Sequence, residues 1–365
     1  MYYRNARLLL PEDMDRREFA YQPLGKNTYV RHLAFKDPRE VSLFFSKNPP
    51  LHAYYSSAKY AFPEIPDMEQ KRWLGSELIF DIDADHLRAC TVVEQLHICM
   101  SCGYNMRGFR IAKCPNCGSQ EVVEAETLPA ECISAAAREA EKLMRVLRKD
   151  LGIKKVRVFF SGNRGFHVHT ECDENILMMS SDERREIVDY IKGVGLELKL
   201  AVLLSDRRKS SLILPRPGDP GWRGRVGEEL YRALGLSENQ LLTWSEAASK
   251  HGVRGLEEYV ENARIEIEEK VTIDVHRLVR IPGSLNGKTG LPVVEVSEGG
   301  LRSFEINASL SPLRGRIEIM LLAPVKEAVI LGFPVSGDCG EKLEVPHSVA
   351  MFLMLRGIAS PVGEQ

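Results

Sequence analysis

Four cysteines in two close pairs constrain the fold of this 365-residue chain more than any other feature. Each pair has the spacing Cys-x2-Cys and is followed by a glycine, and eleven residues separate the pairs. Glycine permits the tight backbone that lets a short loop present two thiolates to one ion. Four thiolates arranged as a tetrahedron suit Zn²⁺. The spacing therefore predicts a structural zinc site formed by Cys99, Cys102, Cys114 and Cys117.

The alternatives to this site are four unrelated buried cysteines, an iron–sulfur cluster, or His97 in place of one cysteine. A closed four-thiolate site has no open position for substrate, so we assign it no chemistry. The other cysteines show no pairing pattern, and we expect them to be ordinary thiols rather than disulfides. They are Cys90, Cys132, Cys172 and Cys339.

The composition is ordinary for a soluble globular protein, with 44% hydrophobic residues, 27% charged residues and a net charge of −2. The length favours two domains, or one domain with insertions. The first residues lack the apolar stretch of a signal peptide, and no apolar segment approaches the ~18 residues of a membrane span. We expect a cytoplasmic protein that does not contact membranes.

Asp81 and Asp83 stand one residue apart after an apolar run, in a segment typical of a β-strand. Strand side chains alternate between faces, so both acids point one way while Leu78, Phe80 and Ile82 point into a core. Neighbouring carboxylates repel each other unless a divalent cation such as Mg²⁺ lies between them. The pair indicates a metal-dependent phosphoryl-transfer site, although acidic pairs also occur as solvated strand ends.

A glycine-rich segment, Ser-Gly-Asn-Arg-Gly-Phe-His, begins at Ser161. Its two glycines allow a sharp turn that exposes backbone N–H groups to an anion. Ser161, Arg164 and His167 add a hydroxyl, a guanidinium and an imidazole, which are groups that bind phosphate. The alternative is a hairpin with solvated polar side chains.

A third segment places a lone acid, Asp274, on a strand predicted from Lys270 to Ile281. Two cations, Arg280 and Lys288, bracket the Pro/Gly turn that follows and could hold a triphosphate. Residues 283–289 look like a Walker A loop, but only three residues separate the glycines where that motif has four. The proline that follows also blocks the helix that the motif requires, so we reject this interpretation.

Helical periodicity predicts helices from Glu131 to Asp150 and from Ser181 to Lys192, the second capped by Ser181. Short strands are expected from Val156 to Phe160 and from Phe166 to Thr170. The pattern predicts an α+β protein: a catalytic core of mixed β-sheets flanked by helices, a zinc-binding excursion and a small helical insertion. The predicted parts are residues 1–178 (first part of the core, with the zinc motif at about 97–119), 179–266 (mostly helical insertion) and 267–365 (second part of the core and C-terminal helix).

The three acidic and basic blocks, in this order and spacing, resemble the small, catalytic subunit of archaeal and eukaryotic DNA primase. The resemblance extends from about Tyr29 to Val296, and the cysteine cluster lies where that family carries its zinc motif. The family often has histidine at the position of Asn286, and some relatives have a second arginine at Asn163. The resemblance implies that Asp81, Asp83 and Asp274 bind two Mg²⁺ or Mn²⁺ ions. It implies nucleotide contacts from Ser161, Arg164, His167, Arg280, Asn286 and Lys288.

The resemblance further implies synthesis of short primers on single-stranded DNA from nucleoside triphosphates during replication, in a heterodimer with a primase large subunit. One alternative is an end-joining or repair polymerase of the same superfamily, and another is a non-catalytic zinc-ribbon protein that binds nucleic acid. Five basic residues are candidate contacts to template phosphates, with a solvated basic loop as the alternative: Arg207, Arg208, Lys209, Arg223 and Arg225.

Overall fold

The computed structural model describes residues 2–91, 93–197, 204–206, 211–252 and 255–363. Several separate β-sheets alternate with helices along the chain, which confirms the predicted α+β class. Every strand pair in the described ranges is antiparallel, so the sheets there are not mixed as predicted.

The strands of the described part are β1 (Phe19–Pro23), β2 (Val30–Leu33), β3 (Pro50–Ser56), β4 (Ala58–Tyr60), β5 (Trp73–Ser76), β6 (Ile79–Asp83), β7 (Gln95–Cys99), β8 (Asn105–Gly108), β9 (Val122–Glu124), β10 (Lys155–Phe160), β11 (Gly165–Glu171), β12 (Leu204–Asp206), β13 (Ser211–Ile213), β14 (Leu278–Arg280), β15 (Val294–Val296), β16 (Arg316–Leu321), β17 (Val325–Ile330), β18 (Phe333–Gly337), β19 (Lys342–Pro346) and β20 (Ala359–Pro361). The α-helices are α1 (Tyr2–Asn5), α2 (Pro38–Lys47), α3 (Ala130–Lys149), α4 (Glu174–Leu177), α5 (Ser181–Lys192), α6 (Gly221–Leu234), α7 (Trp244–His251), α8 (Glu257–Ala263), α9 (Glu269–Ile273), α10 (Glu298–Leu301) and α11 (His347–Leu355). Short 3-10 turns span Met14–Arg16, Ala84–His86, Arg88–Cys90 and Ala308–Leu310.

A four-stranded sheet in the order β15-β10-β11-β6 forms the centre of the molecule. Helix α3 packs on it with one apolar face, because its alanines, leucines and isoleucine recur at helical spacing. Phe80 and Ile82 of β6 are fully buried in the same core. Because successive strand residues face opposite ways, this packing turns Asp81 and Asp83 to the other face of the sheet.

A second sheet, in the order β14-β3-β1-β2, lies beside the first. Aromatic side chains fill its own core, with Phe19 and Phe45 fully buried. In its register Arg280 of β14 pairs with Tyr54 of β3. This pairing brings the basic end of β14 to the region of β6.

The predicted strand from Lys270 to Ile281 is wrong in its first half. That half is helix α9, and only β14 is a strand. A short run of alternating apolar residues does not distinguish the two structures by itself. Here tertiary contacts decide, because Val271 is buried in the aromatic core while Thr272 donates a hydrogen bond of 2.9 Å to the carbonyl of Ile79.

The predicted helix bounds 131–150 and 181–192 agree with α3 and α5 within one residue. The cap of α5 is Ser180 rather than Ser181. Its hydroxyl accepts a hydrogen bond from the Glu183 amide, and the Glu183 carboxylate accepts one from the Ser180 amide. This reciprocal pair of bonds is a capping box.

A separate apolar cluster, which includes Trp222, Leu230 and Val260, lies within the segment predicted as a helical insertion. The division of the chain into three parts stays a prediction. Arg223 and Arg225, two of the predicted phosphate contacts, instead bind groups of the protein itself. Arg223 donates to backbone carbonyls and pairs with Asp219. Arg225 donates to three backbone carbonyls. The other candidates, at positions 207–209, lie outside the described residues.

Two cysteines expected to be free thiols form a disulfide, Cys90–Cys132, with a Cα–Cα distance of 5.7 Å. It joins the turn that follows β6 to the first turn of α3. The sequence gives no spacing signal for this bond, because the two positions have a sequence separation of 42 that includes the whole zinc segment. In the described ranges, no helix combines the length and apolar character needed to cross a bilayer.

Candidate active site

Asp81 and Asp83 lie side by side on the edge strand β6, facing away from the core as predicted. The neighbouring strand β11 places His167 directly opposite Asp81 and Gly165 opposite Asp83. The Asp81 Oδ1 atom is buried and has no hydrogen-bond partner. The His167 Nε2 atom lies 3.7 Å from it. Such an unpaired buried oxygen is costly unless a ligand satisfies it.

Burial raises the pKa of Asp81 to about 6, while Arg277 and Arg280 oppose this and the nearby Glu268 adds to it. Burial also raises the pKa of Asp83 to about 6; the charges of Asp81 and Asp85 add to this, and those of His86 and Arg164 oppose it. Ionised carboxylates are therefore disfavoured here without a positive partner. Both the unpaired oxygen and the direction of the pKa shifts indicate a cation site.

The third predicted acid, Asp274, is not at this site, and its assignment as a metal ligand needs correction. The segment from Glu268 to Val275 runs antiparallel to β6. The Glu268 amide donates to the Asp81 carbonyl at 2.9 Å, whereas the Val275 carbonyl accepts from Ser76, five residues upstream of Asp81. At ~3.3 Å per strand residue, this puts Asp274 on the order of 15 Å from the acid pair.

Glu268 occupies the place expected of Asp274. Its carboxylate lies 3.8 Å from the Nδ1 atom of His86 and close enough to Asp81 to raise the pKa of that residue. Glu268, His86 and Asp83 line one cleft of about 360 Å³. Asp274 is exposed and accepts a hydrogen bond from the His276 amide, because helix α9 ends there. We therefore propose Glu268 as the third carboxylate.

The Ser161 segment is the turn between β10 and β11. The Ser161 amide donates to the Gly165 carbonyl at 2.9 Å, and the Gly165 amide donates to the Ser161 hydroxyl oxygen at 3.2 Å. Gly162 has a φ of +78°, which favours glycine. A Cβ atom on Gly165 would lie 2.3 Å from the Ile82 carbonyl and 2.9 Å from an Asp83 carboxylate oxygen. Glycine is thus required for the turn to lie against the acid pair.

The Asn286 side chain holds this turn to the loop that carries Lys288. Its amide nitrogen donates to the Ser161 carbonyl at 3.0 Å, and its amide oxygen accepts from the Lys288 backbone amide at 3.0 Å. Thr289 also donates to the carbonyl of Gly162. Asn286 is 2% exposed. These bonds give Asn286 a positioning role, and the nucleotide contact predicted for it stays a prediction.

Arg164 extends from the turn to a pair of acids. Its guanidinium donates to Asp85 at 3.1 Å and lies 3.4 Å from Glu124, while Arg110 also donates to Asp85 at 3.1 Å. Asp85 itself is buried and fixes both guanidinium groups. Arg164 and Lys288 share the lining of a cleft of about 450 Å³ with Arg110 and Glu124.

His167 and Arg280 lie at the same face as Asp81. Burial lowers the pKa of His167 to about 3, so its imidazole is neutral at pH 7, and its Nδ1 atom is buried without a partner. Arg280 donates to the Nδ1 atom of His52 and lies over the Tyr54 ring at 5.2 Å. Burial, followed by the charges of Arg280 and Lys288, lowers the pKa of His52 to about 3, which leaves it a neutral acceptor that orients Arg280.

The four predicted zinc ligands meet at one point. Their sulfur atoms all lie within 4.8 Å of one another, with Cys99–Cys117 at 3.6 Å and Cys102–Cys114 at 3.7 Å. A tetrahedron with Zn–S bonds of ~2.3 Å has edges of about 3.8 Å, so the cluster fits Zn²⁺. Hydrogen bonds from the Tyr104 amide and then Asn116 lower the pKa of Cys102 to about 6, which favours its thiolate.

His97 is not part of this cluster. Its Nδ1 atom lies 3.0 Å from the Gln95 carbonyl, and its ring lines the cleft that contains Arg164. Strands β7, β8 and β9 form the sheet that carries the cysteines, and Glu124 at the end of β9 lines the same cleft. The zinc segment therefore forms one wall of the basic cleft while its ion site remains closed.

Comparisons with known proteins identify the family. The sequence profile described as DNA primase small subunit matches residues 118–298. The chain is 37% identical to the DNA primase small subunit PriS of Saccharolobus solfataricus, over 98% of this chain and 92% of that protein. It is 37% identical to that of Sulfurisphaera tokodaii (98% and 93%) and 34% identical to that of Aeropyrum pernix (97% and 88%).

This chain belongs to the DNA primase small-subunit family. The predicted resemblance is confirmed, and with it the enzyme class, a DNA-directed nucleotidyltransferase. The family implies divalent metal ions and a large-subunit partner in general, and the cysteine cluster indicates zinc.

Several residues of this site were missed in the sequence. Glu268 had a usable signal, since Ile265-Glu266-Ile267-Glu268 repeats the apolar–acidic alternation of the β6 acids. Asp85 continues the series of alternating acids after Asp83. Arg110, Glu124 and Arg277 carry no local signal, because only the packing of distant segments brings the first two to the cleft and the third close to Asp81.

Proposed function

We propose that this chain is the catalytic subunit of a DNA primase that builds short primers on single-stranded DNA from nucleoside triphosphates, together with a large subunit. The observation that carries the proposal is the paired carboxylate face of Asp81 and Asp83, with an unpaired buried oxygen, beside a basic cleft. Asp81, Asp83 and Glu268 would hold two Mg²⁺ or Mn²⁺ ions, and Cys99, Cys102, Cys114 and Cys117 would hold Zn²⁺.

The divalent ions, when bound, supply activation of a 3′-hydroxyl and neutralisation of the leaving pyrophosphate. The protein groups bind and orient the triphosphate. Arg164, held by Asp85, presents a fixed guanidinium. His167 is neutral, so it donates a hydrogen bond without adding charge. Arg280 and Lys288 supply positive charge from the second sheet and the late loop.

Template-dependent synthesis tests this proposal. The full chain is incubated with single-stranded DNA, labelled nucleoside triphosphates and Mg²⁺ or Mn²⁺, with and without a co-purified large subunit. We expect oligonucleotides to form without any primer, and Asp81→Asn to abolish them. A requirement for a pre-existing primer under all conditions would favour the end-joining polymerase instead, and an inactive chain that still binds DNA would favour the non-catalytic alternative.

A further inference from the structure

The basic cleft contains more positive charge than its acids neutralise. Cations from four distant segments line it: Arg110 from the zinc segment, Arg164 from the β10–β11 turn, Lys288 from the late loop and Arg356 just after helix α11. The acid among its lining residues is Glu124. A concave surface of one sign concentrates ligands of the opposite charge. The cleft therefore suits an anion.

The four cations differ in how they are paired. Arg110 and Arg164 share the carboxylate of Asp85. Neither Lys288 nor Arg356 forms an ion pair with any residue that the structure describes. These two are therefore the groups whose charge is left for a ligand.

Arg356 is the more unusual of the two. Its guanidinium lies over the Phe352 ring at 3.6 Å, and its Nη1 atom is buried without a hydrogen-bond partner. Burial lowers the pKa of Arg356 to about 10, with Glu124 opposing this and Arg164 adding to it. An unpaired buried guanidinium destabilises a fold. Because Arg356 lines an open cleft, an anion that enters the cleft can pair with this guanidinium.

Arg164 stands between Arg356 and the acid pair. Its carbonyl accepts a hydrogen bond of 3.0 Å from the amide of Ala84, next to Asp83, and its side chain lines the same cleft as Arg356. A nucleotide with its reacting phosphorus at Asp81 and Asp83 would extend its remaining phosphates past Arg164 and toward Arg356. This path fits the linear tail of a triphosphate.

We propose that Arg356, with Lys288, binds the terminal phosphate of the incoming nucleoside triphosphate. The inference rests on the proposed function for the position of the reacting phosphorus. It adds a binding residue from the C-terminal region, outside the three sequence blocks that indicated the site.

Equilibrium binding and kinetics of Arg356→Met and Arg356→Lys test the inference. Methionine keeps much of the apolar volume over Phe352 and removes the charge. The matched control is Arg302→Met, an exposed arginine that pairs with Glu141 away from the cleft. Binding of labelled nucleoside triphosphate and diphosphate is measured without turnover. KM for nucleotide and the affinity for single-stranded DNA are measured separately.

We expect Arg356→Met to raise KM for nucleotide about tenfold or more, because it loses a charge-assisted phosphate contact. It should also lose the preference for triphosphate over diphosphate. The affinity for DNA and the melting temperature should not fall, Arg356→Lys should recover part of the effect, and Arg302→Met should behave like the parent protein.

Unchanged KM and unchanged triphosphate preference in both Arg356 variants would overturn the inference. So would a loss of DNA affinity with nucleotide binding intact, since the cleft would then bind nucleic-acid phosphates. If Arg356→Met does not fold, Arg356→Gln, which also removes the charge, takes its place. A parent protein that binds triphosphates but makes no primers would count against the proposed function. The inference about Arg356 would then be tested by the equilibrium binding of triphosphate and diphosphate alone.

Discussion

Replacing Asp83 with asparagine should stabilise the metal-free protein while it abolishes catalysis. The folded state holds the Asp83 proton more tightly than the unfolded chain, because burial raises its pKa from 3.8 to about 6. Stability from this group is therefore greatest at low pH and falls as the pH rises from about 4 through 6. Above that range the ionised carboxylate costs the fold about 3 kcal/mol, since one pKa unit corresponds to about 1.4 kcal/mol.

Asparagine cannot ionise, so Asp83→Asn should gain up to about 3 kcal/mol at pH 7.5 and less than about 1 kcal/mol at pH 4. For a chain of this length the larger gain corresponds to a rise in melting temperature of about 4 °C. Asp81→Asn should behave similarly. The double variant should gain less than the sum, because the charge of Asp81 contributes to the raised pKa of Asp83.

Thermal unfolding with and without Mn²⁺ provides the assay. Millimolar Mn²⁺ should raise the melting temperature of the parent protein at pH 7.5 and much less at pH 5, because protons compete for the carboxylates. The Asp83→Asn variant should respond weakly at both pH values. The matched control is Asp274→Asn, which changes an exposed acid far from the acid pair. A metal-free Asp83→Asn protein that melts below its parent at pH 7.5 would refute this reasoning.

Three further predictions concern the third acid, the zinc site and the disulfide. Glu268→Gln should reduce nucleotide incorporation at least a hundredfold while Asp274→Asn stays within about threefold of the parent, as measured by initial rates; the reverse ranking would restore Asp274 as the metal ligand. Cys114→Ser should lower zinc content and melting temperature more than it lowers the rate per folded molecule, and equal stability of the zinc-free variant would show that the site is not structural. Reduction of the Cys90–Cys132 bond should cost about 4 kcal/mol of unfolding free energy in denaturant titrations, since it closes a loop of about 42 residues; identical titrations with and without reductant would contradict this.

Local patterns were sufficient for much of the fold. The bounds of α3 and α5 follow from side-chain periodicity and capping residues, which act over a few neighbouring positions. The outward face of Asp81 and Asp83 follows from the alternation of a strand next to an apolar core. The zinc site could also be predicted from the four cysteines, because the spacing within each pair brings two sulfur atoms to one ion.

Long-range packing decided the rest. Asp274 and Glu268 are both acids near apolar residues, and only the antiparallel path of their segment along β6 shows which one reaches Asp81. The first half of the predicted strand there became α9, because its apolar run is as compatible with a buried helix as with a strand.

The sequence by itself determined the family, the acid pair and the zinc cluster, since their meaning lies in residue type and close spacing. Only the tertiary structure decided that Glu268 rather than Asp274 lies near Asp81, and only it decided the disulfide and the basic cleft to which Arg110, Glu124 and Arg356 contribute. These features join segments tens to hundreds of residues apart. Their proximity depends on the summed packing of the sheets, the zinc segment and helix α11, which no local pattern encodes.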